Sequence, residues 1–174
     1  MKKIIVITAI IITLLSLNKE QKVIIPKDSI RFRVIANSDK KDDQNLKKKV
    51  ITNLKNSIST LEYQTKDLEN SRTNIKRIIP EFSSIVEQTL IENSSNQTYK
   101  INYGMNYFPE KEYKGTKYEA GQYESLVITL GDGLGENFWC VLFPPLCLLE
   151  AEDEDSTTDL EYTSFVKEII DKYF

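Results

Sequence analysis

The chain has 174 residues, 40% of them hydrophobic and 28% charged, a composition typical of one globular domain with short appendages. Its formal net charge of −3 argues against nucleic acid or an acidic surface as a partner. It contains no histidine, which excludes catalytic triads and metal sites built on imidazole.

The N-terminus has the pattern of an export segment. Lys2 and Lys3 precede a 14-residue apolar run, Ile4 to Leu17. As a helix this run would span about 21 Å, less than the hydrocarbon core of a membrane. We therefore interpret residues 1–18 as a signal peptide or, if uncleaved, a membrane anchor, with a buried N-terminal helix as the alternative. Either of the first two places the domain outside the cytoplasm, secreted or anchored at the outer face of the membrane.

A strand and a polar segment come next. Residues 19–28 are predicted to be a linker, after which Ile30, Phe32 and Val34 alternate with arginines. This alternation predicts a half-buried strand with one apolar face. Residues 37–43 are rich in Asp, Asn and Ser, which suit either a cation site or the cap of a helix. We favour the cap, because a helix clearly follows.

Two helices are predicted from apolar residues at helical spacing. The first covers residues 46–61, with Lys47, Lys48 and Lys49 on a solvated face. The second pattern covers residues 68–90 and runs through Pro80. Because proline removes a backbone hydrogen bond, we expect a kink or a break there.

Strands dominate the second half of the chain. A period of two predicts strands over 99–105 and 123–130, separated by an irregular, aromatic-rich connection over 107–121. That connection is either a binding surface or a loop packed on the sheet. Residues 138–143 are apolar at every position, which predicts a strand in the interior of a sheet, covered on both faces. We expect it to pair antiparallel with 123–130.

The predicted fold class is α+β: a mostly antiparallel sheet with helices packed on it. The expected order is β-α-α-β-β-β-α after the N-terminal export helix. The domain should cover residues 29–149. An acidic linker over 150–157 then leads to an amphipathic C-terminal helix over 158–174.

The most distinctive stretch runs from Gly131 to Cys147. Its glycines, at 131, 133 and 135, resemble a phosphate-binding loop, but such a loop leads into a helix and here a strand follows. A tight turn or a partner-recognition loop fits better. Cys140 and Cys147 can form a disulfide if the protein is exported, or remain two buried thiols. Without histidine, neither has the usual base of a catalytic cysteine.

Residues Asn137–Cys147, NFWCVLFPPLC, closely resemble the signature of the stage II sporulation protein R family of endospore-forming bacteria. Residues 30–39 and 107–124 resemble further parts of that family, in the same order. The family usually has two tryptophans before the first cysteine, where this chain has Phe138 and Trp139. The exchange keeps an aromatic ring but loses an indole N–H.

The resemblance implies a non-enzymatic, exported signalling protein without a cofactor or metal. Such a protein passes from the forespore to the intermembrane space and activates a membrane-embedded aspartic protease of the mother cell, which processes a pro-sigma factor. We expect the partner contacts on the glycine loop and the aromatic segment, at these residues: Gly131, Gly133, Gly135, Asn137, Phe138, Trp139, Tyr107, Phe108, Tyr118 and Tyr123. The alternatives are an extracytoplasmic cell-wall hydrolase using a carboxylate pair, and a membrane-anchored structural or interaction domain.

Overall fold

The computed structural model describes residues 23–113, 116–147 and 159–174, and shows the predicted α+β class. The export segment and the acidic linker lie outside the described residues. The strands are β1 (Val23–Ile24), β2 (Ile30–Ile35), β3 (Tyr99–Phe108), β4 (Lys111–Tyr113), β5 (Thr116–Tyr118), β6 (Gly121–Leu130) and β7 (Asn137–Phe143). The helices are α1 (Lys41–Tyr63), α2 (Leu68–Glu92) and α3 (Asp159–Tyr173).

Helices α1 and α2 pack on one face of the main sheet through the predicted apolar residues. Val50 and Leu54 of α1 and Phe82 and Val86 of α2 are fully buried there. The N-terminus of α2 is capped by Asp67, whose side chain accepts a hydrogen bond from the Asn70 N–H at 2.8 Å.

Of the kink or break expected at Pro80, the break is wrong, because α2 continues through this residue. Pro80 lies on the exposed side of the helix, where water can solvate the carbonyl that loses its donor. The buried residues on both sides, Ile75 and Phe82, hold the helix on the core.

The main sheet has four strands in the order β3-β6-β2-β7. The predicted pairing of 123–130 with 138–143 is wrong, because β2 lies between them, parallel to β6 and antiparallel to β7. Ile30, Phe32 and Val34 of this central strand are fully buried under the helices.

Strand β7 is therefore at an edge and not in the interior of the sheet. Its last residues are nevertheless covered on both faces, as their apolar pattern predicts. Cys140 and Leu142 pack in the core under the helices, while Val141 packs in a second cluster with Leu146 and Val166. An apolar run thus reports coverage of the faces, and not the number of neighbouring strands.

A second, three-stranded sheet covers part of the opposite face, in the order β1-β5-β4. It corrects two predictions. The connection over 107–121 is not irregular, since it contains the antiparallel pair β4–β5, and the predicted linker contains β1. Val23 and Ile25 of that segment are buried with Tyr118 and with Val166 of α3. Both sheets are mixed, with antiparallel pairs β3–β6, β2–β7 and β4–β5.

Candidate functional site: a clamped glycine loop and the sheet face beside it

The glycine loop, residues 131–137, connects β6 to β7 and lies against residues 36–39, which follow β2 and which we call the clamp segment. The Leu134 N–H donates to the Asn37 carbonyl at 3.0 Å, and the Gly135 N–H donates to the Ala36 carbonyl at 3.0 Å. The side chains of Asn37 and Asp39 accept from the N–H groups of Asp132 at 2.9 Å and Glu136 at 2.6 Å. These hydrogen bonds fix both halves of the loop.

Asp43, in the first turn of α1, holds the clamp segment in turn. Its carboxylate accepts from Asn37 Nδ2 at 2.9 Å, Ser38 Oγ at 2.5 Å and Gln97 Nε2 at 2.6 Å. The hydrogen bonds from Ser38 and Asn37 lower the pKa of Asp43 below its ordinary value.

The predicted helix cap is therefore wrong in detail. The capping position is Lys40, whose side chain makes no capping hydrogen bond. The short polar residues of 37–39 bond instead to Asp43 and to the glycine loop. As for the cation alternative, no group of three or more acidic or cysteine side chains suited to a metal occurs within residues 23–113, 116–147 and 159–174.

Lys47 completes the support of the loop from α1. Its Nζ donates to the Glu136 carbonyl at 2.8 Å and to Gln44 Oε1 at 2.6 Å. Lys47 is only 7% exposed, so its predicted place on a solvated face is wrong, although Lys48 and Lys49 are exposed. Burial lowers the pKa of Lys47.

The glycines are needed for the backbone and for close approach. Gly131 and Gly133 have positive φ angles of 53° and 66°. Gly135 lies so close to the clamp segment that a Cβ would be 2.3 Å from the Ser38 carbonyl oxygen. Their side of the loop therefore faces the protein, and the partner contacts predicted at these three positions are more simply explained as structural requirements.

Leu134, which sequence analysis did not select, is the residue that the loop presents outward. It is 78% exposed, between two glycines that are packed against the protein. An apolar residue flanked by glycines in a polar loop was the available signal. A large apolar side chain held out by a fixed backbone is the kind of group that binds a partner at low entropic cost.

Beside the loop, on the face of the main sheet away from α1 and α2, lies the Trp139 patch: Arg33, Lys111, Asn137 and Trp139. The guanidinium carbon of Arg33 is 5.8 Å from the centre of the Trp139 ring, and Lys111 Nζ is 5.0 Å from it. Asn137 joins the patch to the loop: in the amide orientation that satisfies both neighbours, it accepts from Arg33 Nη2 at 3.0 Å and donates to the Gly135 carbonyl at 3.3 Å. Burial lowers the pKa of Arg33. The patch is cationic and aromatic.

At the covered end of the same face, Arg31 is enclosed by aromatic rings. Its guanidinium carbon lies 3.3 Å from the ring centre of Tyr123, 5.3 Å from Phe108 and 5.7 Å from Tyr118. Arg31 is 1% exposed, which corrects the prediction of a half-buried strand with one apolar face. Three predicted contact residues, Phe108, Tyr118 and Tyr123, are thus buried around this arginine.

The other predicted contact residues are separated from the loop. Phe138 points to the helical side, where it packs against Phe32 with ring centres 6.4 Å apart. Tyr107 is 59% exposed near the end of the edge strand β3. From the predicted set, the structure places Asn137 and Trp139 beside the loop, with the buried Phe108 ring 5.2 Å from the centre of Trp139, and the Tyr107 carbonyl accepts from Arg33 Nη1 at 3.4 Å. To these residues it adds Leu134, Arg33 and Lys111.

Comparison with known proteins identifies the family. The family model for stage II sporulation protein R matches residues 26–153. The chain belongs to the stage II sporulation protein R family. It is 37% identical to stage II sporulation protein R of Bacillus subtilis (strain 168) over 144 residues, which cover 83% of this chain and 64% of that protein. The chain thus matches slightly less than two thirds of that relative, and no solved structure matches it.

The matched part of the stage II sporulation protein R family includes both the loop and the cysteines. In this structure Cys140 and Cys147 are joined as a disulfide, with Cα atoms 4.9 Å apart. The bridge lies in the buried core, and the N–H of Cys147 donates to Glu62 Oε1 of α1 at 2.8 Å. Among the helices that the structure describes, none is long and apolar enough to cross a membrane.

Proposed function

We propose that the protein is an exported sporulation signal that activates a membrane-embedded aspartic protease of the mother cell, which then processes the mother-cell pro-sigma factor. Membership of the stage II sporulation protein R family supports the sporulation role. In this proposal residues 1–18 direct the protein from the forespore into the intermembrane space, cleaved or anchored at the outer face of the membrane. A ligand activates an enzyme only by binding its active state more tightly than its inactive state.

The observation that carries the proposed contact is the exposure of Leu134 on a loop fixed by backbone hydrogen bonds. A pre-organised loop loses little conformational entropy on binding. Most of the free energy gained by burying its apolar side chain therefore contributes to the affinity. The Trp139 patch continues this surface and offers tryptophan and arginine, residue types that are enriched in binding hot spots. We infer that the protease binds the loop and the patch together.

The test is the change Leu134→Ser with a matched control, Ile91→Ser. Both side chains are exposed aliphatic groups, at 78% and 63%, but Ile91 belongs to α2 and to neither the loop nor the Trp139 patch. Full burial of a leucine contributes about 1.5–3 kcal/mol, so we expect at least a tenfold weaker activation by the Leu134 variant. Pro-sigma-factor processing is measured in cells lacking the gene and complemented from the forespore at limiting expression.

The two variants must accumulate to equal levels, which immunoblotting checks. The expression level is set low enough for processing to depend on the amount of protein. If Leu134→Ser then supports normal processing, the loop is not part of the protease contact. A loss with both variants would point to a defect in stability or export instead.

The location is tested separately by complementation with and without residues 4–17. Processing that returns only with this segment supports export. Replacement by an unrelated cleavable signal should also restore processing if the protein acts as a secreted ligand. If only the native segment works, the protein acts from a membrane anchor.

A further inference from the structure

Strand β3 is the long free edge of the main sheet. All ten of its residues, Tyr99–Phe108, pair in unbroken register with β6 on one side. On its other side no strand occurs among the residues that the structure describes. An edge of this kind presents a row of backbone donors and acceptors to a further strand.

Proteins usually protect such an edge with prolines, charges, bulges or short strands. Strand β3, YKINYGMNYF, has no proline, and Lys100 is its only charged residue. An unprotected edge of this length can pair with a further strand. Because β3 has a single charge, the strand that pairs with it should also carry little charge.

The apolar face of β3 is covered over only half its length. Tyr99, Ile101 and Tyr103 pack against the core under the helices. Met105 and Tyr107 continue the same alternation but are 64% and 59% exposed. Two large apolar side chains therefore flank the free edge.

We propose that β3 pairs with β3 of a second copy of this chain, antiparallel and with the two-fold axis at Gly104. This register places Met105 opposite Tyr103 of the other copy, and Tyr107 opposite Ile101. The uncovered half of each apolar face then meets the covered half of the other. The strand is self-complementary, which is what a two-fold interface requires.

The opposite face of the edge fits the same register. Gly104, where an added Cβ would meet no atom within 4 Å, opposes itself. Asn102 opposes Asn106; within one chain Asn102 Nδ2 donates to Asn106 Oδ1 at 2.9 Å, which leaves Asn102 Oδ1 to accept from an amide of the other copy. An axis at Tyr103 would instead bring two Tyr103 side chains together, each already bonded to Glu124 at 2.5 Å.

The charges favour a second copy as the occupant. The two Lys100 side chains lie eight residues apart along the shared ladder, about 26 Å, so they do not repel each other appreciably in physiological salt. Lys100 is opposite Phe108 of the other copy, and the exposed Glu110, two residues beyond that end of the strand, is paired with Lys117 of its own chain at 3.3 Å. The paired strands therefore bring no two like charges close together.

The test is cysteine cross-linking of the full chain in sporulating cells. The double change Asn102→Cys and Asn106→Cys places a thiol of each copy opposite one of the other. We expect a species of twice the mass of the monomer on a non-reducing gel, which the addition of reductant removes. Asn102→Cys alone should give at most a trace of the cross-linked dimer, because in this register position 102 lies opposite Asn106 of the other copy.

A surface change tests the same contact. Adding Met105→Lys should abolish the cross-link, because it puts a charge into the apolar pairs, while Ile91→Lys, at an equally exposed apolar position, should leave it unchanged. Unchanged thermal unfolding of both variants checks the fold. A cross-link that survives Met105→Lys, or none in the double cysteine chain, would overturn the proposal. The readout is the cross-link and not sigma-factor processing, so it is independent of the proposed function.

Discussion

The substitution Arg31→Met tests whether the protein retains a buried cation at a cost to its stability. Arg31 is 1% exposed, and none of its guanidinium nitrogens has a hydrogen-bond partner within the part of the chain that the structure describes. Burial lowers the pKa of Arg31, while Tyr123 and Tyr118 act in the opposite direction.

Two energies oppose each other at this position. Burying an ion without a counter-charge costs several kcal/mol after relaxation. The cation–π interaction with the Tyr123 ring, whose centre is 3.3 Å from the guanidinium carbon, stabilises the buried charge by about 2 kcal/mol. The Phe108 and Tyr118 rings, at 5.3 and 5.7 Å, contribute less. The two contributions are close, with the cost of burial slightly larger.

Methionine keeps most of the volume and contacts the same rings without a charge. We therefore expect the free energy of unfolding of Arg31→Met to equal that of the wild type or to exceed it by up to about 3 kcal/mol. Arg31→Lys should be less stable than the wild type by about 2 kcal/mol, because an ammonium is more strongly hydrated and cannot stack.

The assay is urea unfolding followed by the fluorescence of Trp139, the single tryptophan of the chain, at unchanged m-value. A loss of more than about 3 kcal/mol in Arg31→Met would refute the reasoning, since that is the cost of breaking a buried ion pair. If Arg31→Met is stable but inactive in sigma-factor processing, the arginine is retained for function.

Two further predictions concern the support of the glycine loop. Asp43→Asn should destabilise the protein by about 2–3 kcal/mol, because an amide cannot accept all three hydrogen bonds. Since the pKa of Asp43 is lowered in the folded state, its contribution is complete above the unfolded pKa of about 3.9 and is lost as the pH falls through the folded value. Acid unfolding curves should therefore converge for variant and wild type at low pH, and a constant difference would contradict this assignment. Gly135→Ala should cost about 1–3 kcal/mol in thermal or urea unfolding, because its Cβ would be 2.3 Å from the Ser38 carbonyl oxygen. Leu134→Ala, one residue earlier and exposed, should cost almost nothing, and equal effects of the two changes would show that the loop is not clamped.

The candidate site was only partly visible in the sequence. The three glycines marked a turn, and the aromatic residues marked a surface or a core. Whether an aromatic residue is exposed depends on which segments cover it. Tyr123 and Phe108 are buried with Arg31 packed against their rings, and Trp139 is half-buried where Phe108, Arg33 and Lys111 lie against it.

Features that depend on neighbours along the chain could be predicted from the sequence. The helical spacing in α1 and α2, the period of two in β3 and β6, and the turn at the glycines follow from local backbone geometry and from which side must be buried. The family was also identified from short motifs that the family model then matched.

The contacts between segments that are distant in the sequence could be seen only in the folded chain. The insertion of β2 between β6 and β7, and the clamp of residues 36–39 on a loop nearly one hundred residues later, join distant parts of the chain. Hydrophobic periodicity predicts that one face of an element is buried, but it does not predict which other segment covers that face. The burial of Arg31 and Lys47 follows from that assembly, since a charged side chain has no local pattern that marks it as internal.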